Sequence, residues 1–322
     1  MENLLEIKNL VVEYKTERAT VHALNDVNLS IGKGESLGLV GEAGAGKTTT
    51  ALSILNLLPS SANIKTGSIV YKGQSLLDMK ERDIRLLRGS SISMIFQNPL
   101  TALNPVFSVG EQIAVLLRTH RNMSRKEATI KAQELLEMVG IAKYRVNDYP
   151  IQFSGGMRQR VGIAAGLACN PELLIADEPT TALDVTIQAQ ILELMRKMQK
   201  EYDSSLLMIT HNLGIISELC QKVAVMYAGR IIEYGTVREV FKDPRHYYTV
   251  GLINALPKIN DTQERLATIP GRVADAQNLP KGCAFHPRCS GCMEKCKHEV
   301  PEMVKVGENH YVACHRSEGG VL

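Results

Sequence analysis

The sequence predicts an α/β fold with a largely parallel sheet, and three observations carry that reading. Short, almost wholly apolar runs recur at Ser36–Val40, Leu173–Ala176 and Leu206–Thr210. Such runs suit strands covered on both faces. Segments of helical periodicity separate them, which is the alternation of an α/β chain. A glycine-rich turn joins the first run to a helix, the connection from which phosphate-binding loops are built.

In chain order, residues 5–14 and 27–31 alternate apolar and polar and read as half-buried strands. A helix is expected from about Lys47 to Leu58, stopped by Pro59. Residues 98–168 change character and read as mostly helical. Within them Ser124 and Glu127 fit a capping box, Ala128, Ala132, Leu135, Leu136 and Val139 form one stripe, and Gly140 ends it. Asp184 is placed to cap a further helix with Ile187, Ile191, Leu194 and Met198 on one face. Val223–Met226 and Arg230–Tyr234 read as a hairpin around Ala228-Gly229. Beyond about residue 240 the periodicity weakens, and proline and cysteine punctuate the chain.

Composition narrows the function classes. The 322 residues carry 37 Lys plus Arg against 34 Asp plus Glu, a net charge of +3. That balance gives no support to nucleic-acid binding, which ordinarily shows a strongly basic face. The longest charge-free stretch, Gly89 to Gly110, contains Gln97, Asn98, Pro99, Asn104 and Pro105 and is no membrane span. The first residues, MENLLEIKNL, lack the pattern of a signal peptide. A soluble, intracellular protein is expected, with any membrane-spanning part supplied by other chains. Cys169 and Cys220 sit among apolar helical neighbours and read as small buried hydrophobes.

Three motifs carry chemistry. Gly41-Glu42-Ala43-Gly44-Ala45-Gly46-Lys47-Thr48, followed by Thr49, fits the phosphate-binding loop G-x-x-x-x-G-K-[ST]. Its backbone N–H groups would cradle phosphates at a helix N-terminus, Lys47 would reach the β- and γ-phosphates, and Thr48 would hold Mg²⁺. The apolar run at 173–176 ends in Asp177 and Glu178. Carboxylates at a strand end suit metal and water chemistry: Asp177 for Mg²⁺, Glu178 as general base. Ser154-Gly155-Gly156 caps a helix whose bare N–H groups make a second anion site. Two phosphate sites with a single lysine-bearing loop suggest that one of them serves a nucleotide held by another subunit.

With these three motifs in order, the chain resembles the nucleotide-binding subunits of ABC transporters, and Phe153–Arg160 resembles their signature motif. The resemblance implies further roles. Tyr14 would stack on adenine. Gln97 would be the Q-loop glutamine that contacts metal or water and faces the membrane subunits. Thr181-Ala182-Leu183-Asp184 would be the D-loop, and His211 the switch histidine at the γ-phosphate. Asp243-Pro244-Arg245-His246, Tyr248-Thr249, Leu256-Pro257, Ile269-Pro270-Gly271 and Gly282-Cys283 resemble the C-terminal extension of dipeptide and oligopeptide importer ATPases. Departures from that pattern are Ala43 and Ala45 for serines, Phe153 for leucine, and Tyr247 and Ala274 for prolines; none removes a charged group.

The implied organisation is an ABC ATPase domain over 1–240, with its helical subdomain at 98–168, and a small Cys-rich C-terminal domain over 241–322. Five of the seven cysteines, Cys283, Cys289, Cys292, Cys296 and Cys314, fall in the last 40 residues. Spacing alone leaves zinc and iron–sulfur open at Cys289, Cys292 and Cys296. The resemblance implies Cys283, Cys289, Cys296 and Cys314 as ligands of a 4Fe–4S cluster, with Cys292 an extra; His286, His298 and His315 are read as solvated. The implied activity is ATP hydrolysis driving peptide import. Its partners would be a related ATPase subunit in a heterodimer, two membrane permeases and, indirectly, an external solute-binding protein, at the cytoplasmic face of the membrane. The same motor serving nickel complexes or sugars, and a soluble ABC ATPase of DNA repair or translation, are the alternatives. The last of these expects a long coiled-coil insertion or two cassettes in one chain.

Overall fold

The computed structural model describes residues 3–17, 19–98, 102–181, 183–256 and 268–317. In chain order the elements are β1 (Asn3–Lys15), β2 (Thr20–Gly32), β3 (Ser36–Val40), α1 (Lys47–Ile54), β4 (Ala62–Tyr71), β5 (Gln74–Ser75), α2 (Glu81–Leu87), β6 (Ile92–Ile95), α3 (Val109–Arg121), α4 (Arg125–Met138), α5 (Gly155–Leu167), β7 (Leu173–Asp177), α6 (Val185–Tyr202), β8 (Ser205–Ile209), α7 (Leu213–Leu219), β9 (Lys222–Tyr227), β10 (Arg230–Thr236), α8 (Val237–Lys242), α9 (Tyr247–Asn254), β11 (Val304–Lys305) and β12 (Tyr311–Val312). Among the described residues, no helix is long and apolar enough to cross a membrane.

The contacts divide the chain into two units. The first is chiefly Ile31–Ser36 and Asp78–Thr210. Here β6, β7 and β8 pair in parallel, with Ile95 opposite Ala176 and Asp177 opposite Ile209. Every residue of β7 and β8 is buried, as expected of strands with both faces covered. The helical region is α3, α4 and α5. In α4 the capping box of Ser124 and Glu127 is formed and Ala128, Ala132, Leu135 and Leu136 are its buried face. Gly140, at φ 73°, follows it in the left-handed region. On α6 the buried residues are Ile191, Leu192 and Met195, so its inner face is turned from the stripe expected through Leu194, which is half-buried.

The second unit is Leu5–Ser30, Leu37–Leu77 and His211–Leu322. An antiparallel sheet in the order β2-β1-β4-β5 belongs to it. So does the parallel pair β3–β9, extended by antiparallel β10, β12 and β11. The β9–β10 hairpin turns at Ala228 and Gly229, both at positive φ (47° and 77°), the two-residue geometry that matches strand twist. The early strands extend beyond the sequence expectation, because their half-exposed ends are held by pairing rather than apolar pattern. Helix α1 is shorter than expected. It ends at Ile54, and Asn56 turns left-handed at φ 50°, so the chain leaves the helix before Pro59. The 240 boundary read from the sequence is one of composition; the contact units are not drawn along it, and residues 268–317 belong with the phosphate loop.

Candidate functional site

The phosphate loop runs from the end of buried β3 into α1. Gly46 is the N-cap at φ 106°, and a Cβ there would lie 2.7 Å from the Ala23 carbonyl oxygen. A Cβ on Gly41 would lie 2.3 Å from the Met226 carbonyl oxygen. Neither position tolerates a side chain. No side chain caps α1 and its first turn has no acid, so the positive helix end is left to an anion. Lys47 is buried, and its ammonium donates to the carbonyls of Gly41 (2.7 Å) and Glu42 (3.0 Å) inside the loop. Thr48 is exposed beside it. The β9–β10 turn anchors the loop from behind: the Gly229 N–H donates to the Ala45 carbonyl at 2.9 Å, and the Asn25 amide donates to the Ala228 carbonyl at 2.9 Å. Tyr14, at the end of β1, hydrogen-bonds through its hydroxyl to that of Thr49 at 3.2 Å. The structure therefore brings together Tyr14 and residues 41–49.

In the first unit, β7 delivers Asp177, 2% exposed, and then Glu178 at φ 45°. A non-glycine residue held at positive φ is costly and clusters at working sites. The Glu178 N–H donates to the Ile209 carbonyl at 2.8 Å, which fixes the turn. Its carboxylate accepts from the Gln97 amide (3.0 Å) and the Thr181 hydroxyl (3.1 Å). Glutamine, threonine and glutamate, 81 and 3 residues apart in sequence, thus meet around one carboxylate. Donors on a carboxylate fix its orientation, as a group that must face a water requires.

Ser154 caps α5, accepting from the Met157 N–H at 3.3 Å. Ser154 and Gly155 are exposed, and a Cβ on Gly155 would meet nothing within 4 Å. The first turn of α5 has no acid. Beneath it Phe153 is buried, with the Arg145 guanidinium 4.2 Å from its ring centre. Asp184 is an N-cap too: its carboxylate accepts from the Ile187 N–H at 3.0 Å, while Ala182 lies outside the described residues. His211 is exposed, one position before Asn212, whose side chain caps α7.

The cysteines separate as expected in one respect. Cys169 and Cys220 are buried; Cys169 lies beside the Arg121 guanidinium, with its thiol donating to the Leu116 carbonyl, and burial pushes the Cys220 thiol up to about 12. Cys283, Cys289, Cys296 and Cys314 line one narrow cavity with Tyr247 and Pro301; Cys292 is not among its walls and its thiol donates to the Met293 carbonyl. Burial, then the charges of the neighbouring cysteines, push Cys283 and Cys289 up to about 11. Four soft donors that oppose one another's ionisation suit a group that brings positive charge. Among the described residues, however, no group of three or more His, Cys, Asp or Glu side chains is placed to hold a metal ion. His315, expected in solvent, is buried and its Nε2 is 3.0 Å from the Glu299 carbonyl oxygen, because the C-terminal turn folds back on residue 299.

Two residues with functional standing, Arg288 and Glu233, had no sequence signal, and Tyr248 was marked only through the Tyr248-Thr249 resemblance. Arg288 grips the Glu42 side chain, Tyr248 receives the Glu42 N–H, and Glu233 is a fully buried carboxylate. A roomier cavity of about 890 Å³, lined in part by Asn25, Arg230, Leu279 and Tyr311, shares Cys283 with the cysteine-lined cavity and includes none of the phosphate-loop residues.

Comparison with known proteins agrees with this geometry. Residues 24–181 match the ABC transporter family and residues 232–296 the oligopeptide/dipeptide transporter C-terminal region. The chain is 50% identical to the oligopeptide transport ATP-binding protein OppD of Bacillus subtilis, over 96% of this chain and 87% of that one. With OppD of Escherichia coli it shares 47% identity over 92% and 89%. Among solved structures, a dimeric ATP-binding cassette in a post-hydrolysis state bound to ADP and Pi superposes with a TM-score of 0.67 at 28% identity, over 73% of this chain and 99% of that one. The fold and site define an ABC-type P-loop ATPase. The chain belongs to the ATP-binding subunits of ABC transporters, in the oligopeptide/dipeptide importer family.

Proposed function

We propose that the chain is the ATP-binding and ATP-hydrolysing subunit of an ABC importer of short peptides. One observation carries the hydrolytic part: the Gln97 amide and Thr181 hydroxyl meet on the Glu178 carboxylate, directly after buried Asp177. Glu178 is the general base that polarises the attacking water. Lys47 and the loop amides hold the phosphates, Tyr14 carries the adenine and His211 senses the γ-phosphate. Bound Mg²⁺, held by Thr48, Asp177 and Gln97, supplies charge neutralisation on the β- and γ-phosphates. The open Ser154–Gly156 helix start and Asp184 of the D-loop serve the nucleotide of a second, related ATPase subunit. Two permeases complete the transporter, and an external binding protein delivers peptide. The pair works at the cytoplasmic face of the membrane.

Glu178→Gln should retain ATP binding while steady-state hydrolysis falls by about 10²–10⁴. Near-normal turnover would remove Glu178 as the base. Lys47→Ala, by contrast, should weaken binding itself. Turnover of the wild-type chain should rise with its own concentration and with its partners; a rate independent of both would overturn the shared site.

For the C-terminal segment, taken as a small Cys-rich domain, we propose a 4Fe–4S cluster on Cys283, Cys289, Cys296 and Cys314. Their common cavity, from which Cys292 is absent, supports this choice. Protein purified without oxygen should hold about four irons per chain. Serine at any of the four should abolish the iron, and Cys292→Ser should not. Stoichiometric zinc without iron would overturn the cluster.

A further inference from the structure

The phosphate loop is held from outside by the C-terminal segment. Glu42, its second residue, is fixed on three sides. Its carboxylate receives both arms of the Arg288 guanidinium, at 2.7 and 3.1 Å. Its N–H donates to the Tyr248 hydroxyl at 2.8 Å. Its carbonyl accepts from Lys47 at 3.0 Å. A two-armed guanidinium–carboxylate pair sets orientation as well as distance.

Arg288 is itself tightly placed. Its side chain is 4% exposed. Its Nε donates to the Pro270 carbonyl at 2.9 Å, and it lies over the rings of Tyr227 and Phe285 at 5.9 and 5.8 Å. The hydrogen bond to Glu42 is the first cause holding the guanidinium's proton more firmly than usual. A side chain anchored this firmly in the C-terminal segment cannot follow a loop that wanders. It selects one loop conformation. Tyr248 acts in the same sense: its hydroxyl accepts the Glu42 N–H and fixes that residue's backbone as Arg288 fixes its side chain.

We infer that Arg288 is a positioning residue of the nucleotide site: through its paired bonds to Glu42 it holds the phosphate loop in its ligand-receiving shape, so that ATP affinity depends on the C-terminal segment. This rests on the reading of residues 41–48 as the ATP site. Arg288 touches no phosphate; it acts through Glu42. Without it, the loop must be ordered by the nucleotide, and the cost appears as weaker binding.

The test is equilibrium binding of a fluorescent, non-hydrolysable ATP analogue to the full-length chain, with metal content and thermal unfolding measured on each variant. Arg288→Met and Glu42→Gln should each weaken binding by about ten- to a hundredfold, the scale of a displaced binding geometry. The double variant should be no weaker than the worse single one, because both break one link. Arg288→Lys should recover part of the loss, since an ammonium keeps charge but not the two-armed geometry. In the assembled transporter, KM for ATP should rise more than kcat falls. If Arg288→Met fails to fold, Glu42→Gln tests the same link from the loop side. Unchanged affinity in a folded single variant, or losses that add in the double variant, would overturn the inference. A merely structural role predicts a lowered unfolding temperature with affinity intact. Wild-type protein that binds no ATP would instead overturn the underlying reading, and Lys47→Ala separates the two.

Discussion

The two units hold their working residues by different means. In the first, Asp177, Glu178 and Gln97 sit at or just beyond the ends of β6 and β7, with every residue of β7 buried and the strands paired in parallel. Apolar packing positions the chemistry, and polar contacts are added at its edge. In the second, the described residues after 240 have little regular structure: α9, short single turns and the two-residue strands β11 and β12. What pins it are buried polar links, Glu42 to Arg288 and Glu233 to its three donors. Strands tolerate many apolar substitutions at modest cost. A buried carboxylate that loses its partners, or partners that lose their carboxylate, tolerate none cheaply.

The sharpest way to break this comparison is at Glu233. Its carboxylate is fully buried and accepts from the Arg245 N–H (2.7 Å), the His246 N–H (2.9 Å) and the His310 ring (2.7 Å). It ties β10 to the start of α9 and to the loop before β12. Glu233→Ala should cost about 3–5 kcal/mol, by leaving three buried donors unanswered. Ile175→Val in β7, equally buried, should cost only about 0.5–1.5 kcal/mol. Denaturant unfolding of both variants measures the contrast. Equal losses would mean that the segment after 240 leans on packing as β7 does.

This difference also explains what was legible in sequence. The buried strands and the box at Ser124 and Glu127 announce themselves through local pattern, and so do the phosphate loop and Asp177-Glu178. Links such as Arg288 to Glu42 span 246 positions. No periodicity encodes them, because each depends on where the whole chain returns. The end of α1 was misjudged for a related reason: Pro59 looks like the stop, yet Asn56 adopts the left-handed turn first. The inner face of α6 includes Ile191, where the sequence places it, but continues through Leu192 and Met195 rather than the half-buried Leu194; the Met198 side chain lies outside the described residues.

A gentler probe is pH. His246 is fully buried, and its Nδ1 accepts from the Tyr248 N–H at 3.1 Å. Burial lowers its pKa to about 4, against a smaller opposing pull from Glu233. The unfolded chain would take up that proton near 6.5. Between these values the unfolded state binds more protons, so stability falls as pH drops from about 6.5 to about 4 and is unaffected above that window. His246→Asn keeps a side-chain acceptor but cannot titrate. The stability gap between wild type and this variant should therefore narrow by roughly 2 kcal/mol from pH 7.5 to pH 5. Denaturant titrations at the two pH values test this; a gap that does not change with pH would mean that His246 is not held neutral.

The smallest effect belongs to the first unit and checks that its exposed polar contacts are accessory. The Ser124 hydroxyl accepts from the Glu127 N–H at 3.3 Å, and the Glu127 carboxylate accepts from the Ser124 N–H at 2.9 Å. Hydrogen bonding of the carboxylate itself, first by the Ser124 hydroxyl and then by the Ser124 N–H, lowers the Glu127 pKa at this exposed site. Ser124→Ala removes one half of the box and leaves an orphan N–H that water can reach. Its cost should be about 1 kcal/mol, the usual worth of an N-cap. The stripe of Ala128, Ala132, Leu135 and Leu136 remains buried, so α4 should keep its helix and ATP affinity should not move. Thermal unfolding against wild type measures the loss. A cost as large as that of Glu233→Ala would mean that α4 depends on its cap rather than its packed face, and the contrast between the two units would fail from the other side.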